Sequence, residues 1–205
     1  MSMTHDEARY EQWMEDLYRE HREQAIEEFT ANRLKSYWVR NPWVLRSPVN
    51  VLAEAEKLAR EHTTAAFVFA TIAVEVGLKV ALLKPIVHGL VHSESTAEII
   101  ADLALRHTRF DFFHRLLSKI LDEHGGVDLE HYTRAGATQR LMDEIAIIQK
   151  QRDLIVHRAD HATLDQTNQA LSVARAVLED LVPTVVSRLG LHLHDGVRVC
   201  EDWQC

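Results

Sequence analysis

The sequence contains few of the residues that interrupt helices. Among its 205 residues are only seven glycines and four prolines. This scarcity argues against a β fold rich in tight turns and favours long helices. Because 46% of the residues are hydrophobic, the chain is long and apolar enough to build one sizeable core. We therefore expect an all-α protein with one large helical domain.

Cysteine is also scarce. The only two, Cys200 and Cys205, lie near the C-terminus with four residues between them. Without further cysteines, this pair predicts neither a zinc half-site nor a disulfide framework. We therefore expect a reducing, cytoplasmic compartment.

Positive charge is in deficit. There are 23 lysines and arginines against 31 aspartates and glutamates, which gives a formal net charge of -8. A smooth basic surface that coats nucleic acid is therefore not expected, although a local basic pocket remains compatible with this balance.

Segments that would direct the chain to a membrane are not apparent. The first residues are polar and charged, so no signal peptide is expected. The longest apolar run, residues 63–87, contains Glu75, Lys79 and Lys84. Charges within the run predict a buried core helix and no membrane contact.

Hydrophobic spacing divides the chain into three parts. Residues 1–48 combine a long amphipathic helix, over about 5–35, with a tryptophan-rich loop. Residues 49–190 hold the helical bundle, and residues 191–205 form a tail. The tail alternates apolar and polar residues around Asp195-Gly196, which predicts a small hairpin.

Capping residues mark where the helices of the bundle begin. Asn50 is expected to cap a short helix that runs to Arg60, and Thr63 or Thr64 to begin the apolar helix. Two capping boxes are predicted, Ser95 with Glu98 and Thr163 with Gln166. Further helices are expected over about 107–123 and from about 128 or 137 through His157. Pro183 should kink the last helix or limit its start.

One carboxylate interrupts the apolar helix. Glu75 lies four residues before Lys79, so the two side chains share a helix face. A carboxylate inside an apolar helix needs a partner, because an unpaired buried charge is unfavourable. Two interpretations remain open: an ordinary Glu75–Lys79 pair on an exposed stripe, or a role in a pocket.

The stretch from Arg152 to His157 brings a guanidinium, a carboxylate and an imidazole within six residues. Asp153 precedes His157 by four residues, about 40° around a helix, so its carboxylate can hold one ring nitrogen. Arg152 lies about 140° from His157 on a straight helix. These two converge only if the helix ends near His157 or the arginine side chain curls round. The trio suits RNA cleavage without a metal, since His157 can transfer protons while Arg152 binds the phosphate.

The sequence Arg152-Asp-Leu-Ile-Val-His157 resembles the Arg-polar-x-x-x-His signature of HEPN domains, which are all-helical. Residues 65–85 also resemble the apolar early helix of that family, with an acidic residue, Glu75, followed by a basic one, Lys79. The resemblance covers about residues 63–190. The residue after the arginine is often Asn in this family, so Asp153 is a departure that adds negative charge near the phosphate position.

The resemblance implies a HEPN-like helical bundle and a metal-independent endoribonuclease with a toxin, defence or RNA-processing role. It implies a homodimer whose two Arg152–His157 pairs face each other across one cleft that binds RNA, with no cofactor and with a possible antitoxin partner. Arg152, His157 and Asp153 are then the catalytic candidates. The candidate substrate-binding residues are Glu75, Lys79, Arg158 and His161.

Two alternatives of other classes remain open. Some HEPN proteins have no nuclease activity and serve as nucleotide- or protein-binding modules. Histidines four residues apart can also bind a metal on one helix face. Such pairs are His88 with His92 and His157 with His161, and looser candidates are Asp111 with His114 and Asp128 with His131.

The loop before the bundle contains Trp38 and Trp43. These side chains could stack on a base or another ring, or they could close the end of the bundle. The sequence favours the second interpretation.

Overall fold

A computed structural model gives the fold of the chain. It describes residues 9–10, 12–13, 15–16, 31–91, 93–106 and 111–201, without the side chains of 103–106 and 111–116. The described residues are mostly helical, with a single small hairpin, as the composition predicted. Most of the predicted N-terminal helix over 5–35 falls outside this description, as do His92, Cys205 and the side chains of Asp111 and His114.

The described elements follow one another as helices up to the hairpin. In chain order they are α1 (31–40), α2 (Arg46–Leu58), α3 (Thr63–Val76), π1 (Gly77–Leu83), α4 (Lys84–Leu90), α5 (Glu94–Arg106), α6 (Asp111–Glu123), α7 (Leu141–Arg158), α8 (Leu164–Arg175), π2 (Ala176–Leu181), α9 (Val182–Arg188), β1 (His192–His194) and β2 (Arg198–Cys200), where π1 and π2 are π-helical.

Helix α3 is the central element. It packs against α2, α7 and α8, and alanines such as Ala66, Ala70 and Ala73 are fully buried in it. Small side chains allow neighbouring helices to approach closely, while Phe67 fills the space between them. The same core includes Leu34 from α1 and Val199 from β2, so both ends of the described chain contribute to it.

The continuous helical run Thr63–Leu90 is long and apolar enough to cross a membrane, but 61% of its most apolar window is buried inside the protein. A buried core helix passes the same test of length and composition. The run therefore gives only weak evidence for a membrane span.

Both π-helical segments precede a proline. Pro85 lies in the first turn of α4 directly after π1, and Pro183 occupies the same position in α9 after π2. A proline lacks the N–H of a regular helix and its ring clashes with the preceding turn. The wider π turn absorbs this misfit, so each helix continues past its proline.

The two π segments also pack against each other. A Cβ added at Gly77 would lie 2.7 Å from Cδ2 of Leu178 and 3.4 Å from Cγ1 of Val177. Gly77 therefore allows π1 to lie directly against the side chains of π2.

The predicted helix starts are confirmed in two of four cases. Thr63 begins α3, and Thr163 forms the complete capping box with Gln166 at the start of α8. Asn50 lies inside α2, which begins four residues earlier, so its predicted capping role is wrong. Ser95 is also inside a helix, because α5 begins at Glu94. The hydroxyl of Ser93 accepts from the Thr96 N–H instead.

Residues 124–140 are mostly irregular, and α7 begins only at Leu141, later than the sequence predicted. The hairpin is confirmed, with Asp195 and Gly196 both at positive φ as a tight turn requires. Cys200 is disulfide-bonded, which corrects the expectation that the cysteines form no disulfide.

Candidate functional site

The signature residues lie in the last turns of α7. The helix is regular through Arg158, and Ala159 ends it in a left-handed conformation with φ of 54°. His157 is exposed in the final turn, while Arg152 is half-buried one and a half turns earlier. The two side chains therefore leave a single unbroken helix in different directions, about 140° apart.

Arg152 forms an ion pair with Glu75 of α3 through its Nη2 and a carboxylate oxygen. The side chain of Glu75 is only 15% exposed and that of Arg152 only 18%. Glu75 therefore does not belong to an exposed stripe. Its partner lies on another helix, a pairing that the sequence prediction missed because the two residues are far apart in the chain.

Asp153 also contacts Arg152. Its Oδ1 lies 3.2 Å from Nη1 of the arginine, and its side chain is 59% exposed. Among the described residues, no hydrogen bond joins this carboxylate to the His157 ring. Asp153 thus adds a second negative charge to the Arg152 guanidinium and leaves both nitrogens of the imidazole accessible.

Two of the other predicted residues lie at the corner between α7 and α8. Arg158 and His161 are exposed there, next to His157. The corner is anchored to the start of α3, because the Ala162 N–H donates to Thr64 at 3.2 Å. This anchoring gives the exposed side chains a defined position relative to the core.

Lys79 is half-buried within π1. Because this segment is π-helical, the four-residue spacing from Glu75 does not have ordinary α-helical geometry. The structure brings Glu75, Arg152 and Asp153 together, whereas His157, Arg158 and His161 form a separate exposed group at the corner.

His157, Arg158 and His161 are exposed on the described part of the chain. One surface cavity of about 910 Å³ is lined by Gly126, Asp180 and Arg188 among others, and no residue of the α7 signature lines it. A substrate at His157 would therefore need a second surface to enclose it.

A second cluster of ionisable groups lies where α1, α4 and α5 meet, and sequence analysis did not identify it. Glu98 accepts from Lys84 at 2.9 Å and lies 3.1 Å from Nε2 of His88. The ring of Tyr37 lies 4.7 Å from the His88 ring, centroid to centroid. The hydrogen bond from Lys84 lowers the pKa of Glu98, and burial raises the pKa of Tyr37. The signal for this cluster in the sequence was the four-residue spacing from Lys84 to His88, which places both side chains on one helix face.

The candidate metal pairs do not share a helix face in the described residues. His161 lies beyond the end of α7, so it is not one turn from His157 on the same helix. Asp128 and His131 contact each other directly within one turn, with Nδ1 of His131 2.8 Å from Oδ2 of Asp128. Within the parts of the chain that the structure describes, no group of three or more metal-ligating side chains occurs.

The sequence predicts Trp38 and Trp43 in one loop, which is wrong for Trp38: it lies in α1, and only Trp43 lies in the turn after this helix. Trp38 is only 1% exposed and packs in the core, as the favoured interpretation predicted. Trp43 is 53% exposed and lies beside two arginines, so the interpretation that it closes the bundle is wrong.

No protein-family model matches this sequence, and neither curated proteins nor solved structures include a significant match to it.

Proposed function

We propose that the protein is a metal-independent endoribonuclease of the HEPN type. In this proposal His157 transfers protons and Arg152 binds the scissile phosphate. Two copies of the chain form the cleft, and the RNA lies between them.

The ion pair between Glu75 and Arg152 is the observation that carries the proposal. The resemblance to HEPN domains rests on two separate segments, the early apolar helix with Glu75 and the late signature with Arg152. The ion pair joins these segments directly. The residues on which the resemblance rests therefore lie at one place in the fold.

The exposed imidazole of His157 suits proton transfer. Either ring nitrogen can reach solvent or substrate, because no described residue occupies it with a hydrogen bond. It can accept the proton of a ribose 2′-hydroxyl or donate one to the leaving 5′-oxygen. The attack of the 2′-oxygen on phosphorus breaks the bond to the 5′-oxygen and leaves a 2′,3′-cyclic phosphate.

The charge around the signature supports a site made from two chains. On one chain, a phosphate near His157 would meet the negative end of the α7 dipole and the carboxylate of Asp153. Arg152 is already balanced by Glu75 and Asp153. A second copy would bring another Arg152 and another Arg158 to the same phosphate, which doubles the number of guanidinium groups that can contact it.

The test is incubation of the purified protein with RNA in the presence of EDTA. We expect fragments that end in 2′,3′-cyclic phosphate, and we expect His157→Ala to reduce the rate by about 100-fold or more. The control is His131→Ala, which removes another exposed histidine, one that contacts Asp128 in its own turn. Full activity in His157→Ala would refute the proposal.

A catalytically silent HEPN module is the second candidate. The specific observation in its favour is that two carboxylates already contact the Arg152 guanidinium, which leaves less positive charge for a phosphate. Protein that binds oligonucleotides but cleaves none in either EDTA or magnesium would support this second candidate.

A further inference from the structure

The turn between α1 and α2 exposes an aromatic ring in a fixed position. Trp43 lies in this turn with 53% of its surface exposed. Backbone bonds hold the turn on both sides: the Arg46 N–H donates to the Trp43 carbonyl at 2.9 Å, and the Val199 N–H donates to the Pro42 carbonyl at 2.9 Å. An exposed indole on a rigid turn offers a flat surface with little conformational entropy to lose on binding.

Two guanidinium groups lie beside this ring. Cζ of Arg46 is 6.0 Å from the ring centroid and Cζ of Arg198 is 5.7 Å from it. One arginine comes from the start of α2 and the other from β2, so the fold brings them together from opposite ends of the chain. Both distances are at the outer limit of cation–π attraction, about 6 Å, so each guanidinium can still turn towards an anion.

These two charges have no carboxylate partner among the described residues, whereas several other cations do. Lys35 pairs with Glu201, Arg40 with Glu94 and Arg175 with Glu56. Among the described residues, neither Arg46 nor Arg198 forms an ion pair with a carboxylate. Nε of Arg198 is buried and has no hydrogen-bond partner in this part of the chain.

The helix that follows adds to the positive charge. Helix α2 begins at Arg46 with no acidic residue in its first turn and no side-chain cap. The partial positive charge of a helix start is therefore not neutralised by its own side chains. The surface formed by Trp43, Arg46 and Arg198 is a local positive spot on a protein with net charge -8.

We propose that this Trp43 surface binds single-stranded nucleic acid, with a base stacked on the indole and the adjacent phosphates on the two guanidiniums. An aromatic ring flanked by cations is the arrangement by which proteins hold single strands without reading their sequence. The proposed contacts are to a base and to phosphates, and none is to the 2′-hydroxyl. The surface therefore binds RNA and DNA strands alike, whether or not His157 cleaves RNA.

The test uses a labelled oligonucleotide of about 15 deoxythymidines and the full chain, with binding followed by fluorescence anisotropy. The probe has no 2′-hydroxyl, so the proposed ribonuclease cannot cleave it, and binding can be measured on the wild-type chain. We expect Trp43→Ala to weaken binding about tenfold, while Trp43→Phe keeps most of the affinity because it preserves an aromatic face.

The contribution of the two arginines is measured by the salt dependence of binding. Each should contribute to the salt dependence of binding, so Arg46→Ala and Arg198→Ala should each lower the slope of log K against log salt by about 0.7. Arg60→Ala is the matched control, since Arg60 is also exposed and forms no ion pair among the described residues. It should leave that slope unchanged.

Trp13→Ala is the control for the aromatic change, because Trp13 is 56% exposed. Equal affinities of Trp43→Ala and Trp13→Ala would overturn the proposal, as would the absence of wild-type binding at low salt. A third outcome also contradicts it: if Trp43→Ala abolishes self-association in sedimentation but leaves oligonucleotide affinity unchanged, the surface binds a second protein chain instead.

Discussion

Glu75 and Arg152 are 77 residues apart in the sequence, yet their side chains form an ion pair between α3 and α7. Both side chains are mostly buried, so each charge depends on the other for its solvation. The pair links the helix at the centre of the core to the helix that presents His157. The contribution of this pair to stability can be measured separately from that of Asp153, which contacts the same guanidinium from a more exposed position.

Replacement of Glu75 by Gln should destabilise the protein by about 2 kcal/mol, between the values typical of surface pairs and of fully buried pairs. The reason is that Arg152 would keep its charge in a half-buried position without its main partner. Asp153→Asn is the matched control, because Asp153 contacts the same guanidinium from an exposed position, and it should cost about 0.5 kcal/mol. Urea unfolding measures the stability of both variants. Equal losses of stability would show that Glu75 is not the main partner of Arg152.

A second ion pair is more deeply buried. Glu144 accepts from Nε and Nη2 of Arg134 at 2.9 and 2.8 Å, and it is itself a buried residue. We expect Glu144→Gln to lower the free energy of unfolding by about 3 kcal/mol, since the Arg134 charge would lose its counter-charge and one of its two acceptor oxygens. The exposed pair of Arg140 and Asp143 provides the comparison.

In that comparison, Asp143→Asn should cost less than about 1 kcal/mol in the same urea experiment. Arg134→Gln and the double variant, with Glu144 and Arg134 both replaced by Gln, complete the cycle. The double variant should lose less stability than the two single variants together, because no unpaired charge remains in it. Additive losses would show that the two side chains do not act as a pair.

The contribution of Glu98 should depend on pH. Its hydrogen bond with Lys84 lowers its pKa in the folded protein, so the folded state favours the ionised carboxylate. The resulting stabilisation is fully present above the ordinary carboxyl pKa of 4.5 and is lost as the pH falls through the lowered folded value. His88, Tyr37 and Asp102 also lie near the Lys84–Glu98 pair.

Thermal unfolding of wild type and Glu98→Gln from pH 7 to pH 3 measures this effect. The wild type should be the more stable at pH 7, and the difference should shrink steadily below pH 4.5. Glu54→Gln is a suitable control, because Glu54 forms an exposed pair with Lys57 in one helix. A difference that is constant over the whole pH range would disprove the role of this carboxylate.

Gly77 should tolerate no larger side chain. Gly77→Val would place atoms into Leu178, whose Cδ2 already lies 2.7 Å from the position of an added Cβ. Because Leu178 is buried in a packed core, we expect a loss of about 1–3 kcal/mol. Gly136→Val offers an uncrowded comparison, since an added Cβ there meets nothing within 4 Å, although its positive φ carries a strain of its own.

Combining Gly77→Val with Leu178→Ala distinguishes crowding from a backbone effect. Leu178→Ala alone should cost about 2–5 kcal/mol through the cavity it leaves. If crowding is the cause, the valine fills part of that cavity and the double variant loses less than the sum. A fully additive result in a denaturant titration would point to the backbone instead.

The helical class of the fold could be predicted because it depends on local properties. Scarce glycine and proline, helical spacing of apolar residues and the Asp195-Gly196 turn each act within a few residues. Thr163 with Gln166 was predicted correctly for the same reason. Asn50 and Ser95 were not, because any exposed polar residue near a helix start resembles a cap until the preceding turn is known.

The candidate site could be predicted only in part. The sequence identified Arg152 and His157 by their spacing, and it required a partner for Glu75 because a carboxylate in an apolar helix is unfavourable alone. It could not name that partner. Arg152 is 77 residues away, and the choice between it and nearby Lys79 depends on how α3 packs against α7.

Local sequence therefore determined that this chain is helical, that its centre is the apolar helix α3, and that Arg152 and His157 lie near the end of a helix. Tertiary packing alone decided that Arg152 is held by Glu75 while His157 faces solvent, and that Arg46 and Arg198 meet at Trp43. The physical reason is that helix formation depends on neighbours within one or two turns. The surroundings of a charged or aromatic side chain depend instead on segments that only the folded core brings together.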